Sequence, residues 1–168
     1  ASTVIDIEDA AAAGESGKHA VNLLALHSGT VVSVRRGDVG IADYAPGETA
    51  TVGTVNISHV TSPSTDSKVT IGAGTTVTTV AQLSGSASLS AAGTITTVSV
   101  ESGTLVIDGS AAVTTLNING GTVTSNTTGT IVTLNLNAGS LDMVKSTTAR
   151  TVPNFNPQNG ATAVYDPS

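Results

Sequence analysis

Apolar residues recur along this chain at a fixed interval. Val80, Val98, Leu116 and Leu134 stand 18 residues apart, and Val77, Ile95, Val113 and Ile131 keep the same step. A third set runs Ala87, Leu105, Val123, Leu141. A fourth, Leu89, Ile107, Ser125, Met143, is broken once by serine. Gly85, Gly103, Gly121 and Gly139 mark the same interval. A short fixed period of this kind signals a supersecondary unit stacked on its own copies. One period, residues 95–112, shows how the unit is built. Ile95, Val98 and Val100 point inward, and Glu101-Ser102-Gly103 turns. Leu105 and Ile107 point inward on a second strand, and Asp108-Gly109-Ser110 turns again. The glycine column supplies positive φ at the first turn. The expected fold is all-β: a parallel β-solenoid, a right-handed β-helix with rungs of 18 residues and an irregular N-terminal region. About seven rungs at roughly 4.8 Å spacing make a rod of about 33 Å.

The repeat divides the chain. Residues 1–22 form an N-terminal arm or cap, and 23–168 form the solenoid, with an insertion at 35–51 and a C-terminal cap at 146–168. In the arm, Thr3 to Ile7 alternates as a short strand, and Glu8 to Gly17 is an Ala-rich helix or loop. Leu24 and Leu26, then Gly29-Thr30-Val31, align with Val98 and Val100, then Gly103-Thr104-Leu105. Val55 and Ile57 open the next unit, His59 to Ser67 is an extended turn, and Val69 and Ile71 close it. Gln82 occupies the position of Val100, Ile118 and Leu136, which predicts a bulge or a loosened rung. The last unit slips to 21 residues, placing Phe155 in the Leu134 column and Gly160 in the Gly139 column. Pro153, Pro157 and Pro167 suit an unpaired final edge, because proline cannot donate to a ladder.

Composition narrows the picture. The 168 residues are 39% hydrophobic but only 2% aromatic and 11% charged, so the core is thin and aliphatic. Net charge is −6, with six Lys or Arg in all, so no nucleic-acid partner is expected. No cysteine is present, which excludes disulfides and Cys-type zinc sites. No apolar run reaches the roughly 20 residues of a membrane-spanning helix, and no membrane partner is expected. Charge is uneven. Val69 to Leu141 holds two charged residues, Glu101 and Asp108, whereas the first 50 residues hold ten.

Candidate chemistry is sparse. Thr79, Thr97, Thr115 and Thr133 form a column, as do Asn117 with Asn135 and Asn119 with Asn137; these read as polar side chains satisfying one another along a solenoid. An ice-binding face needs Thr-x-Thr on successive rungs. Thr76-x-Thr78 and Thr94-x-Thr96 fit, whereas Ala112-x-Thr114 and Thr130-x-Val132 do not. A glycan-cleaving β-helix needs grouped carboxylates, yet Asp108 is followed on its column by Asn126 and Val144. His19, His27 and His59 have no spacing of a metal site or triad and read as surface or polar-packed residues. The nonapeptide of a calcium-binding roll is absent. Asn126-Thr127-Thr128 and Asn56-Ile57-Ser58 match the glycosylation sequon, a pattern that arises by chance in so Asn- and Thr-rich a chain. The chain is expected to be non-enzymatic, with no catalytic residue, cofactor or metal.

Four stretches carry a resemblance: GDVGIADYAPGETATVGTV, VTIGAGTTVTTV, the repeated TIxTLNLxxGxL units, and ARTVPNFNPQNGATAVYDPS. Over residues 22–168 they resemble β-solenoid structural proteins of tailed bacteriophages, of the capsid-decoration or head-fibre type. Arg150-Thr151-Val152 and Asp166-Pro167 are the most distinctive pieces, and Pro153-Asn154-Phe155 departs from the repeat. The resemblance implies a virion component on the capsid surface, with the major capsid protein or other virion proteins as partners and a homotrimer as one possible assembly. It brings no functional residue. The regular rungs lack Trp, Tyr and Arg anchors, so Arg35, Arg36 and Tyr44 on the insertion, and Phe155 and Tyr165 at the far end, are the expected contact residues. The alternatives are a host-binding adhesin or tail-fibre segment and, behind it, an ice-binding protein or a glycan-active enzyme.

Overall fold

The computed structural model describes residues 3–8, 19–24, 26–58, 67–91, 93–144 and 151–165. Among them the fold is all-β, with sixteen strands and no helix. In chain order these are β1 (Thr3–Ile7), β2 (Val21–Leu23), β3 (Thr30–Val34), β4 (Gly37–Ile41), β5 (Ala50–Ile57), β6 (Ser67–Ile71), β7 (Thr75–Gln82) and β8 (Ser86–Leu89). They continue as β9 (Thr94–Val100), β10 (Thr104–Ile107), β11 (Ala112–Ile118), β12 (Thr122–Ser125), β13 (Ile131–Leu136), β14 (Ser140–Asp142), β15 (Asn154–Pro157) and β16 (Thr162–Val164). Odd-numbered strands form one eight-stranded parallel sheet and even-numbered strands the other. The chain therefore alternates between sheets and lays down eight levels in a solenoid-like stack. At about 4.8 Å per level the stack is about 34 Å long.

The columns read from the sequence are the ladder registers. Val55, Val80, Val98, Leu116 and Leu134 lie one above another in the first sheet, and Val69, Ala87, Leu105, Val123 and Leu141 in the second. All of them are buried, and together with Ile57, Ile71, Leu89, Ile107 and Ile118 they fill the space between the sheets. The long odd strands change phase midway. In β9 both Thr96 and Thr97 turn outward in succession, with Ile95 and Val98 buried on either side. The strand bends there, which explains the spacing of three between those inward residues. Gly85, Gly103, Gly121 and Gly139 all have φ between 72° and 86°, the left-handed turn conformation expected of them.

Four expectations change at the irregular levels. Within the span read as an N-terminal arm or cap, Thr3–Ile7 and Val21–Leu23 join the stack, since β1 pairs with β3 and β2 with β4, which makes eight levels where about seven were expected. Gly29-Thr30-Val31 does not lie on the second strand of a unit. Val32 pairs with Val55, so β3 belongs to the first sheet, and the alignment of Val31 with Leu105 was half a coil out of phase. Leu24, placed inward by that alignment, is exposed. Within the span taken as an insertion at 35–51, Gly37–Ile41 is strand β4, paired with β6, so the extra chain narrows to 42–49. Gln82 makes no bulge. It pairs in register with Val100 and is buried, and its Nε2 donates to the carbonyls of Gly85 (3.0 Å) and Thr104 (3.1 Å). The amide reaches the turn and the next level, which lets a polar side chain occupy an apolar column.

At the last level Phe155 does pair with Leu134, whereas in the second sheet Thr162 pairs with Ser140. Gly160 thus lies one residue short of the Gly139 level, although its φ of 88° preserves the turn. The expectations for Glu8–Gly17, His59, Arg150, Asp166-Pro167 and most of the turn before Ser67 fall largely or wholly outside the described residues.

Candidate functional site

Charge and irregular backbone meet at one place, the loop 42–49 between β4 and β5. Ala42 leaves β4 with φ 48°, a left-handed conformation that costs a residue with a Cβ about 1 kcal/mol or more. Its amide still donates to the carbonyl of Leu23 (2.9 Å), so the coil closes before the chain swings outward. The loop is tied down by carboxylates. Glu48 accepts from the backbone amide of Tyr44 (2.8 Å) and from Nδ2 of Asn22 (3.0 Å), and Asn22 Oδ1 accepts from the amide of Asp43 (3.3 Å). The amide of Tyr44 holds Glu48 below its ordinary pKa, with Asn22 and the Ala45 amide adding to that against a smaller effect of burial.

His19 is the hinge of this cluster. Its Nδ1 faces Asp38 Oδ1 at 2.5 Å and its Nε2 faces Asp43 Oδ2 at 2.9 Å. A neutral imidazole has one N–H and one lone pair, so only the cation serves both carboxylates as a donor. Burial favours the neutral ring, but the hydrogen bonds and charges of Asp38 and Asp43 outweigh it and raise the pKa above 6.5. Burial likewise pushes Asp38 up. Its hydrogen bonds from His19 and from Lys68 Nζ (3.1 Å) prevail and lower it. Gly40, on β4 beneath the ring, makes room for it: a Cβ there would collide with the imidazole and with Asn22 Oδ1. Among the described residues no group of His, Asp and Glu is arranged to hold a metal ion. The arrangement is a clamp between the first levels and the loop. A shallow concavity of about 300 Å³ lies beside it, lined by residues 42–48 with Ala73 and Gly74.

The residues expected to make contacts do not converge. Arg35 and Arg36 sit at the turn between β3 and β4, whereas Tyr44 is on the turn after β4, across the coil. Arg35 donates from Nη2 to Asp6 (2.6 Å), with Glu8 at 3.7 Å, so its charge is engaged within the chain. Arg36 is half-buried beside it. Tyr44 is 55% exposed on the loop. Phe155 and Tyr165 lie at the eighth level, 42% and 62% exposed. The His19 cluster was not legible as a site, because its members are scattered from 19 to 68 and only the coil brings them together. The one signal was the crowding of charge into the first 50 residues.

Along the regular levels the polar columns bond axially. Asn156 donates to Asn135 (2.8 Å), Asn135 to Asn117 (2.8 Å), and Asn117 to Ser99 (3.3 Å). Beside them Asn137 donates to Asn119 and Asn119 to Glu101, both at 2.7 Å. Asn126 donates to Asp108 (2.9 Å). Thr76, Thr78, Thr94 and Thr96 are exposed together, but Gly53 interrupts that face on one side and Ala112 and Val132 on the other. No family model, curated protein or solved structure matches the chain.

Proposed function

We propose that this chain is a non-enzymatic bacteriophage virion protein, a right-handed β-solenoid that decorates or reinforces the capsid surface. The observation that carries the reading is the doubly laced shaft: an aliphatic axis inside and, over the last four levels, chains of side-chain amides outside, running level to level. A shaft laced in this way resists local opening, which suits a part exposed outside the cell for long periods. The sequence resemblance supplies the virion context, and the general preference of parallel crossovers supplies the hand. The major capsid protein is the proposed partner, with many copies gaining avidity from a symmetric lattice. Tyr44 on its clamped loop, and Phe155 with Tyr165 at the far end, are the proposed contacts, since exposed aromatics anchor interfaces.

Mass spectrometry of gradient-purified virions tests this. The chain is expected in intact particles at a fixed ratio to the capsid protein, and Tyr44→Ala or Phe155→Ala is expected to lower that ratio while the purified protein stays folded. Particles that lack the chain, together with a purified protein that binds cells or glycans, would instead identify an adhesin; a chain present only at the few copies of a tail component would identify a tail-fibre segment.

A further inference from the structure

We infer that the turn at Asn159-Gly160 is a site of spontaneous deamidation, and that the side-chain ladder protects the chain's other Asn-Gly pair, Asn119-Gly120, from the same reaction. These are the two Asn-Gly pairs in the sequence. Glycine after asparagine favours the chemistry because no Cβ shields the attacking nitrogen and the backbone bends freely. Hydroxide removes the proton from Gly160 N, which attacks Cγ of Asn159. The new N–C bond closes a five-membered succinimide, the bond from Cγ to the side-chain nitrogen breaks, and ammonia leaves carrying a proton from water. Water then opens the ring at either carbonyl, giving aspartate or its β-linked isomer. Water is the only co-reactant and nothing is oxidised.

The two pairs differ in how their reacting atoms are held. Asn119 donates to Glu101 and accepts from Asn137, both at 2.7 Å. The nucleophile of that pair, Gly120 N, is bonded to the carbonyl of Val100 at 3.3 Å. Attack there requires these bonds to break together. Asn159 is exposed in the turn between β15 and β16. Among the described residues no hydrogen bond holds its side chain or the N–H of Gly160, which lies in the turn with a φ of 88°. Conversion would add a carboxylate to a chain already at −6, on the turn that joins the strand of Phe155 to the strand before Tyr165. The β-linked isomer would also lengthen the backbone at the place where Gly160 sets the last register.

The test is peptide mapping of the full chain aged in mildly alkaline buffer, resolving aspartate from its isomer, with the same chain unfolded in urea as reference. In urea the two pairs are expected to convert at similar rates. In the native protein Asn159 should keep close to its unfolded rate, while Asn119 is slowed about tenfold or more, the scale of losing one charge-assisted bond together with its neutral neighbours. Asn137→Ala removes the donor on Asn119 Oδ1 and should speed conversion at Asn119 in a chain whose circular dichroism is unchanged. Native Asn119 keeping pace with Asn159 would overturn the inference, as would Asn159 surviving the interval in which the unfolded chain converts. An Asn137→Ala chain that leaves Asn119 as slow as before would overturn the protective role of the ladder.

Discussion

Two residues show how little freedom one position of this stack allows. Gly103 combines φ 86° with a floor made of the level below, where a Cβ would strike the carbonyl of Gly85. Gly93 has φ 91° but open space around it. Gly93→Ala should therefore cost about 1 kcal/mol from conformation alone, and Gly103→Ala about 3 kcal/mol, because the levels must also separate. Paired urea melts measure the difference, and equal losses would show that axial closeness is not what the glycine column serves. Gln82 is the opposite case. Its amide nitrogen is satisfied twice, yet its Oε1 is buried without a partner. Gly85 O, one of its acceptors, also accepts from the amide of Thr104. Gln82→Leu restores the apolar column and removes the orphan oxygen, and should stabilise the chain by about 1 kcal/mol. The sequence marks Gln82 as a departure, because Val100, Ile118 and Leu136 define what belongs there. The remedy was not legible, since the acceptors lie in the turn and on the next level, and only the folded register brings them within reach.

At the scale of elements, partners decide what alternation leaves open. In Thr30–Val34 the inward set is Thr30, Val32 and Val34, yet Val31 is also apolar, so alternation alone leaves the other phase open. Pairing with Val55 and Ile57 selects one phase and moves the strand to the other sheet. Where three copies repeat without interruption, no such ambiguity exists, and the strands and their registers follow from the 18-residue step. The loop 42–49 is a second case, because its anchors are His19, just before β2, and Asn22 on β2, with Asp38 on β4 and Lys68 on β6 behind the imidazole. Its clamp has a pH signature. His19 has a raised pKa in the folded chain, so its contribution is complete below the unfolded value of 6.5 and is lost as pH climbs through the folded value. Asp38 is lowered, so its contribution holds above the ordinary 3.8 and is lost as pH falls through its folded value. The clamp is strongest between these limits. Denaturation midpoints should decline on the alkaline side of the histidine range in the parent chain and stay flat there in His19→Gln. A parent chain with no such decline would show that the imidazolium bridge does not hold the loop.

For the whole molecule, stability is a sum over levels and their interfaces, and the ends have one neighbour where the middle has two. The burial pattern follows that rule. Leu116, on β11, is fully buried, whereas Phe155, in the same column at the last level, is 42% exposed and every residue of β15 is open to solvent. The same inward position therefore carries a different cost along the axis. Leu116→Ala should destabilise by about 2–5 kcal/mol, because the levels above and below cannot collapse into the space. Phe155→Ala should cost about 1 kcal/mol, since much of the ring is already in water. Hydrogen exchange follows the same gradient without mutation. Amides of β9, β11 and β13 should exchange slowest, and those of β15 and β16 should exchange fastest, by local opening from the end inward. Ligand contact at the far end reverses the order there: if the capsid lattice takes Phe155 and Tyr165 as anchors, binding slows β15 and β16 and leaves β11 unchanged. Exchange that is uniform along the free chain would mean the stack opens as one unit, and would remove the ground for proposing the far end as the adaptable contact with a capsid lattice.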